Sequence, residues 1–154
     1  MRFHVAEVGN SNSDVFDTKL TKTGPCMYDM ASMQNRVNDM FRRQELLGKQ
    51  YLKFEDMLQY KLVIDANGDC KNSQRFSKLL LAETLVLKSS GHSSTFLTRL
   101  VEPWKQYVPF DENADDLAYL VRKLLLKPML AEKIVKSAVE KVSEVLSPHG
   151  MLYA

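Results

Sequence analysis

Residues 66–75 combine a tight turn with side chains that can cap a helix, a combination suited to binding phosphate. Asn67 and Gly68 favour a turn with positive φ, and Asn72 or Ser73 can cap the helix predicted to follow. The N–H groups at such a helix start have no partners within the helix, and the helix dipole is positive there. The segment therefore predicts a local anion site.

Two basic residues strengthen this prediction. Arg75 falls in the first turn of the predicted helix, where its planar guanidinium can bind two phosphate oxygens, and Lys71 adds a positive charge from the loop. The loop contains only one glycine, Gly68, so it is neither a Walker sequence nor a GxGxxG fingerprint. An ordinary loop with a surface arginine remains the alternative.

The elements around this loop predict a parallel sheet. Tyr60–Asp65 is rich in β-forming residues, Ser73–Ala82 has apolar residues at helical spacing, and Thr84–Leu87 predicts another strand. This order is that of a βαβ crossover, and ligands of such sheets bind beyond the carboxyl ends of the strands. We therefore predict an α/β fold with the loop at the binding edge.

The sequence patterns of the N-terminal third are less regular. Phe3–Val8 alternates apolar and polar residues and predicts a short strand, while the polar stretch Ser11–Pro25 predicts a loop. Met30–Phe41 has apolar residues at helical spacing and predicts an amphipathic helix that ends near Gly48. We expect its methionines to pack rather than to line a groove.

The chain after the predicted crossover is mainly helical. Ser94–Leu100 predicts a short helix, and Gln106–Val108 predicts a short strand stopped by Pro109. A helix is then predicted with Asn113 as its cap and two aspartates in its first turn. Its predicted buried residues are Leu117, Leu120, Val121, Leu124 and Leu125. A last helix is predicted to begin at Pro128, with Leu130, Ile134, Ala138, Val142 and Val145 along one side.

Composition excludes several functional classes. Of the 154 residues, 45% are hydrophobic and 26% are charged, as in an ordinary globular protein, and the net charge is +2. The sequence has no concentrated basic patch of the kind that would predict nucleic-acid or membrane-surface binding. Cys26 and Cys70 do not form a disulfide framework, and no Cys/His cluster has metal-ligand spacing. We expect neither a signal segment nor a transmembrane segment in this chain.

Three blocks of the sequence resemble glycosyltransferase family 90, the capsule-associated and protein O-glucosyltransferase family. They are YKLVIDANG at 60–68, SQRFSKLLLAETLVLK at 73–88 and FLTRLVEPWKQYVPFDENADDL at 96–117. They occur in the order found in the C-terminal part of that family. We therefore predict one donor-nucleotide-binding domain that covers residues 1–154. Residues 1–50 match the family poorly, 51–126 are the core of the resemblance, and 127–154 are predicted to contain the C-terminal helix.

The resemblance implies the C-terminal half of a GT-B-type fold, a Rossmann-like parallel sheet with flanking helices. It implies inverting, metal-independent transfer of glucose or xylose from a UDP-sugar to a protein or glycan hydroxyl, with no other cofactor. The family's serine and arginine at the helix start match Ser73 and Arg75 and would hold the diphosphate. The residues predicted to bind the donor are Gly68, Lys71, Asn72, Ser73, Gln74, Arg75 and Lys88.

The resemblance also implies parts that this sequence does not supply. The family's catalytic base is an aspartate of an N-terminal acceptor domain, which the region before Tyr60 is too short to contain, so no base is assigned. The implied compartment is the lumen of the endoplasmic reticulum or Golgi. The alternative function is a non-catalytic nucleotide-sugar-binding module or an inactive fragment without the acceptor domain.

The sequence departs from the family pattern at three positions. Gln106 replaces a histidine, Glu83 replaces a small residue that is usually glycine, and Asp69 adds a negative charge near the proposed diphosphate. These departures bear on sugar specificity and, to a lesser degree, on activity.

Other residues have two interpretations each. His92 lies in a polar segment and suits a solvated loop better than a sugar contact, and Lys88 fits donor contact and a surface position equally. Asp65 fits a ribose contact or a turn equally. Trp104 and Tyr107 favour packing under the sheet over base stacking. Asp115 and Asp116 form a carboxylate pair for which helix capping is favoured over acid–base chemistry.

Overall fold

The computed structural model describes residues 2–18, 53–66, 75–91 and 96–147. The helices and strands in these ranges are, in chain order, α1 (Arg2–Ser11), α2 (Phe54–Met57), β1 (Leu62–Asp65), α3 (Arg75–Leu80), β2 (Leu85–Ser89), α4 (Phe96–Leu100), β3 (Val108–Phe110), α5 (Leu117–Leu125) and α6 (Pro128–Val145).

The described strands form a parallel sheet in the order β1-β2-β3. The predicted βαβ crossover is confirmed, since α3 connects two neighbouring parallel strands. All residues of β2 are buried, as expected for a central strand that helices cover on both faces. The fold class is α/β, with helices flanking a Rossmann-like parallel sheet.

Each face of the sheet has its own apolar cluster because side chains alternate along a strand. Leu85 and Leu87 of β2 face the helix α5, whereas Val86 between them faces α3. The α5-side cluster contains Val5, Leu85, Leu87, Val108, Phe110, Ala114, Leu117, Leu120, Val121, Leu124 and Ile134. The α3-side cluster contains Val63, Phe76, Leu79, Leu80, Val86, Leu97, Val101, Ala138, Val142 and Val145.

The long helix α6 joins these clusters. Ile134 near its start belongs to the α5-side cluster, and Ala138, Val142 and Val145 belong to the α3-side cluster. Pro128 is its first residue, as predicted, because proline has no N–H to lose at that position. Leu130 is only half-buried against the α5-side cluster.

The predicted strand at Phe3–Val8 is wrong, because these residues lie in helix α1. Val5, Ala6 and Gly9 are buried, a spacing that fits one face of a helix, and α1 packs against α5. A stretch as short as Phe3–Val8 fits the repeat of a strand and that of a helix equally well, and packing against α5 selected the helix. Gly9, which follows the predicted strand, also lies inside α1.

The predicted end of the third strand is also wrong. The strand begins at Val108 and contains Pro109 rather than stopping before it. Among the described strands, β3 is at the edge of the sheet, where the missing N–H of proline is tolerated.

Helix α5 begins later than predicted. Its first residue is Leu117, so Asp115 and Asp116 precede the helix, and Asp116 at the N-cap position makes no side-chain capping bond. Instead, the Asp111 N–H donates to Asp116 Oδ1 (2.8 Å) and the Asn113 N–H donates to Asp111 Oδ1 (2.7 Å). The loop thus satisfies its own backbone donors.

Leu125 was predicted to be buried but has 40% of its surface exposed. The short helix Phe96–Leu100 lies within the predicted range 94–100. The predicted helix at Met30–Phe41 and residues 19–25 of the predicted loop Ser11–Pro25 lie outside the described residues, whereas residues 12–18 form turns and irregular backbone, as predicted. Within the described ranges, no helix is both long and apolar enough to cross a membrane.

Candidate functional site

A cluster of three charged side chains lies at the carboxyl ends of β1 and β2. Asp65 is the last residue of β1 and pairs in register with Lys88 of β2, so their side chains lie side by side. Lys88 Nζ donates to Asp65 Oδ2 at 3.3 Å. Both residues are buried, with 6% and 7% of their surfaces exposed.

Arg75, the first described residue of α3, completes this cluster. Its Nε and Nη2 donate to Asp65 Oδ1 at 2.8 and 2.5 Å, and Nη2 also approaches the carbonyl oxygen of Ala66 at 3.4 Å. One third of its side-chain surface is exposed (33%), in contrast to 8% for Asp65. The crossover brings Arg75 to this carboxylate because α3 starts on the edge where β1 ends.

An aromatic pair supports the lysine of the cluster. Lys88 Nζ lies 4.9 Å from the ring centroid of Phe76, within the range of a cation–π contact. The Phe76 ring meets Tyr107 edge-to-face, with centroids 5.5 Å apart. Burial raises the pKa of the Tyr107 hydroxyl above its ordinary value. Lys88 is thus held by a carboxylate and by an aromatic face.

The cluster brings an arginine and a lysine to the same carboxylate. The three side chains lie together at a largely buried position, where electrostatic interactions are stronger than in water. Two cationic side chains at the carboxyl edge of the sheet are suited to contact an anion.

The structure brings together two of the predicted donor-binding residues, Arg75 and Lys88. The surface-lysine interpretation of Lys88 is wrong, since the residue is buried. The other predicted donor-binding residues lie outside the described residues; they are Gly68, Lys71, Asn72, Ser73 and Gln74. His92 also lies outside the described residues.

Sequence reasoning missed the part that Asp65 plays in the site. Neither a ribose contact nor a turn accounts for a carboxylate that accepts hydrogen bonds from Arg75 and Lys88. A signal was present: the βαβ pattern places the ends of two neighbouring strands together, and each end carries a charge of opposite sign. The aromatic support from Phe76 had no separate signal, because Phe76 also fits the core pattern of α3.

Of the two aromatic residues that were predicted to pack under the sheet, Tyr107 does so and Trp104 does not. Tyr107 packs on Phe76 as expected. The packing prediction for Trp104 is wrong, since 45% of its surface is exposed and its φ is 63°. Trp104 precedes β3 and therefore lies toward the amino ends of the strands, away from the charged cluster.

The described departures from the family pattern also lie away from the cluster. Buried Gln106 accepts from the Glu102 N–H and donates to Ser137 Oγ, both at 2.8 Å, which ties the segment before β3 to α6. Glu83 is exposed in the turn before β2 with a φ of 53°. Asp69 lies outside the described residues.

In the part of the chain that the structure describes, no three His, Cys, Asp or Glu side chains group together as metal ligands. The metal-independent reaction remains a prediction.

Comparison with known proteins gives consistent matches. Residues 1–151 match the family model described as glycosyl transferase family 90. Human protein O-glucosyltransferase 3 is 28% identical over 133 residues, which cover 86% of this chain and 26% of that protein. The mouse protein of the same name is 30% identical over 129 residues, and the rat protein 32% over 130; each match covers 84% of this chain and 25% of the relative. The chain thus spans about a quarter of the length of these relatives.

Proposed function

The chain belongs to glycosyl transferase family 90, and from that premise we propose that it is the donor-binding half of a glycosyltransferase. The proposed donor is a UDP-sugar, with glucose or xylose as the transferred sugar, and the proposed acceptor is a hydroxyl of a protein or glycan. The proposed setting is a GT-B-type enzyme in the lumen of the endoplasmic reticulum or Golgi. The name of the relatives, protein O-glucosyltransferase 3, supports glucose and a protein acceptor.

The observation that carries this proposal is the buried cluster of Asp65, Arg75 and Lys88. It lies at the edge of a parallel sheet where ligands of such folds bind, and it brings together an arginine and a lysine from different elements. Arginine binds phosphate oxygens in a fixed planar geometry, and lysine adds a point charge. The diphosphate of a nucleotide sugar matches this combination.

The same cluster can support the departure of the leaving group. When the bond between the sugar and UDP breaks, negative charge develops on the outer phosphate. Arg75 and Lys88 are already fixed by Asp65, so they can stabilise this charge with little reorganisation. This accounts for the proposed reaction without a divalent cation. In the inverting reaction, the acceptor hydroxyl attacks the face of the sugar opposite the leaving group.

Asp65 is not suited to be the catalytic base. Oδ1 accepts from Arg75 and Oδ2 from Lys88, which leaves both oxygens engaged with cations. A base must approach the acceptor hydroxyl to take its proton, and each oxygen of Asp65 is already directed at a cation. We therefore assign the base to an acceptor-binding domain, as the family resemblance implies.

Calorimetric titration with UDP tests the donor site. We expect UDP to bind the wild-type chain and Arg75→Ala to weaken binding by about ten- to a hundredfold, since hydrogen bonds to charged groups contribute roughly 1.5–3 kcal/mol. Arg122→Ala is the matched control, because it removes an equally charged side chain that contacts Asp14 and Asn12 instead. Failure of the wild-type chain to bind UDP would refute the donor-site proposal.

A second candidate function is a nucleotide-sugar-binding module without catalysis. The engaged oxygens of Asp65 favour it for this chain taken alone. A donor-hydrolysis and transfer assay separates the two functions. UDP binding without sugar release supports the module, whereas turnover by this chain would show that a base is present in it. Turnover that is unchanged by a metal chelator supports the metal-independent reaction.

A further inference from the structure

We propose that Asp65 is a positioning residue, which fixes Arg75 and Lys88 as a pair for the donor diphosphate. This inference rests on the proposed function and adds to it a residue that neither contacts the donor nor acts as a base.

The geometry assigns each carboxylate oxygen of Asp65 to a different cation. Oδ1 accepts from Arg75 Nε and Nη2, and Oδ2 accepts from Lys88 Nζ. The carboxylate itself is rigidly placed, because Asp65 ends β1 and pairs with Lys88 across the sheet. One side chain thus sets the distance between two cations that come from different elements.

The exposures of the cations explain why such positioning is needed. Arg75 has 33% of its side-chain surface exposed, so its long side chain has room to move into solvent unless a partner holds it. Lys88 has only 9% exposed and lies against the Phe76 ring. A buried ammonium that lost its carboxylate would have a large desolvation penalty. Asp65 therefore restrains the position of one cation and compensates the buried charge of the other.

Loss of the Asp65 charge has two opposing effects on an incoming diphosphate. Repulsion between the carboxylate and the phosphates disappears, which favours binding. The two cations also lose their shared anchor, which disfavours binding. We expect the second effect to dominate because three charge-assisted hydrogen bonds to Asp65 are weakened or lost together. The sign of the change in affinity therefore separates positioning from simple charge balance.

Asp65→Asn tests the proposal, with UDP and uridine as the two probes. Because uridine lacks the diphosphate, we expect at least a tenfold loss of UDP affinity and no more than about a twofold change for uridine. Glu55→Gln is the charge-matched control, since exposed Glu55 lies in α2, before the amino end of β1. We expect it to leave both affinities unchanged.

The outcomes distinguish this inference from the proposed function. No UDP binding by the wild-type chain would refute the proposed function. UDP binding that Arg75→Ala weakens but Asp65→Asn leaves equal or stronger would overturn the positioning role alone. Equal losses for UDP and uridine in Asp65→Asn would show a general structural defect and also overturn it.

A measurement on the wild-type chain keeps the proposal testable if Asp65→Asn does not fold. The Arg75 Nε–H bonded to Asp65 should give a protected side-chain NMR signal, assigned by its absence in Arg75→Lys. We expect this signal to persist when UDP binds, since Asp65 keeps its hold on the guanidinium. Loss of the signal on UDP addition would show that Arg75 leaves Asp65 for the donor and would overturn the proposal.

Discussion

Glu83 has a backbone conformation that is unfavourable for a residue with a side chain. Glu83 has a φ of 53° in the turn between α3 and β2, a conformation that glycine adopts without steric cost. This explains why the family pattern usually has glycine at this position. The departure at Glu83 therefore concerns backbone strain, since its side chain is exposed rather than directed into the core.

Glu83→Gly should stabilise the chain. Relief of the left-handed strain, reduced by the greater freedom of glycine in the unfolded state, should give a net gain of roughly 0.5–1 kcal/mol. For a chain of this size the gain corresponds to a rise in Tm of about 1–4 °C. Glu83→Ala is the control, because it removes the same charge but keeps the Cβ. Equal stabilisation by alanine would show that charge, not backbone conformation, is responsible.

At the scale of elements, an aromatic contact connects α3 with the segment that leads into β3. Phe76 contacts the Lys88 ammonium with its face and meets the Tyr107 ring in a T-shaped arrangement. The helix that presents Arg75 is thereby held against the sheet on the side of the charged cluster. Burial raises the pKa of Tyr107 above the ordinary value of 10.0, so the folded state favours the neutral phenol.

The raised pKa of Tyr107 predicts a loss of stability in alkali. Its contribution is fully present below the unfolded-state pKa of 10.0 and is lost as pH rises through the higher folded-state pKa. Tyr107→Phe should therefore reduce the fall in stability above pH 10, which denaturant unfolding at a series of pH values would measure. At neutral pH we expect a change within about 0.5 kcal/mol, because the ring contact remains.

Tyr60→Phe serves as the comparison. The pKa of Tyr60 is raised chiefly by its hydrogen bond to Asp17, at 2.5 Å, so this substitution also removes a bond at neutral pH. An alkaline profile identical to wild type in Tyr107→Phe would contradict the assigned effect of burial.

At the scale of the whole molecule, the sheet and α6 connect the two apolar clusters. The β2 side chains alternate between the clusters, and α6 contributes residues to both. The core thus lies on both sides of a sheet whose carboxyl edge holds the charged cluster. A loss of packing on either face should therefore destabilise the same unit.

Leu117→Ala and Leu79→Ala test this cooperativity, one on each face. Both leucines have 0% of their surface exposed, so each substitution should lower the free energy of unfolding by roughly 2–5 kcal/mol within a single transition. Leu126→Ala is the control, since 83% of Leu126 is exposed and we expect a change below about 0.5 kcal/mol. Two separate transitions in thermal unfolding would contradict a single unit.

Patterns that depend on many neighbouring residues predicted the structure well. The βαβ unit and the helix beginning at Pro128 followed from periodicity and from the geometry of proline. Short or ambiguous patterns failed: Phe3–Val8 fits both a strand and a helix, and contact with α5 selected the helix. The start of α5 was missed because the aspartates before it bind backbone groups of their own loop.

The sequence by itself determined the α/β class, the crossover and the presence of Arg75 and Lys88 at the carboxyl edge of the sheet, because these depend on local periodicity and on the rule that parallel strands share an edge. Only the tertiary structure decided that Asp65 holds both cations, that Phe76 supports Lys88 and that Trp104 is exposed. These features depend on distances between residues far apart in the chain. Such distances are set by strand register and packing, which the sequence pattern does not specify.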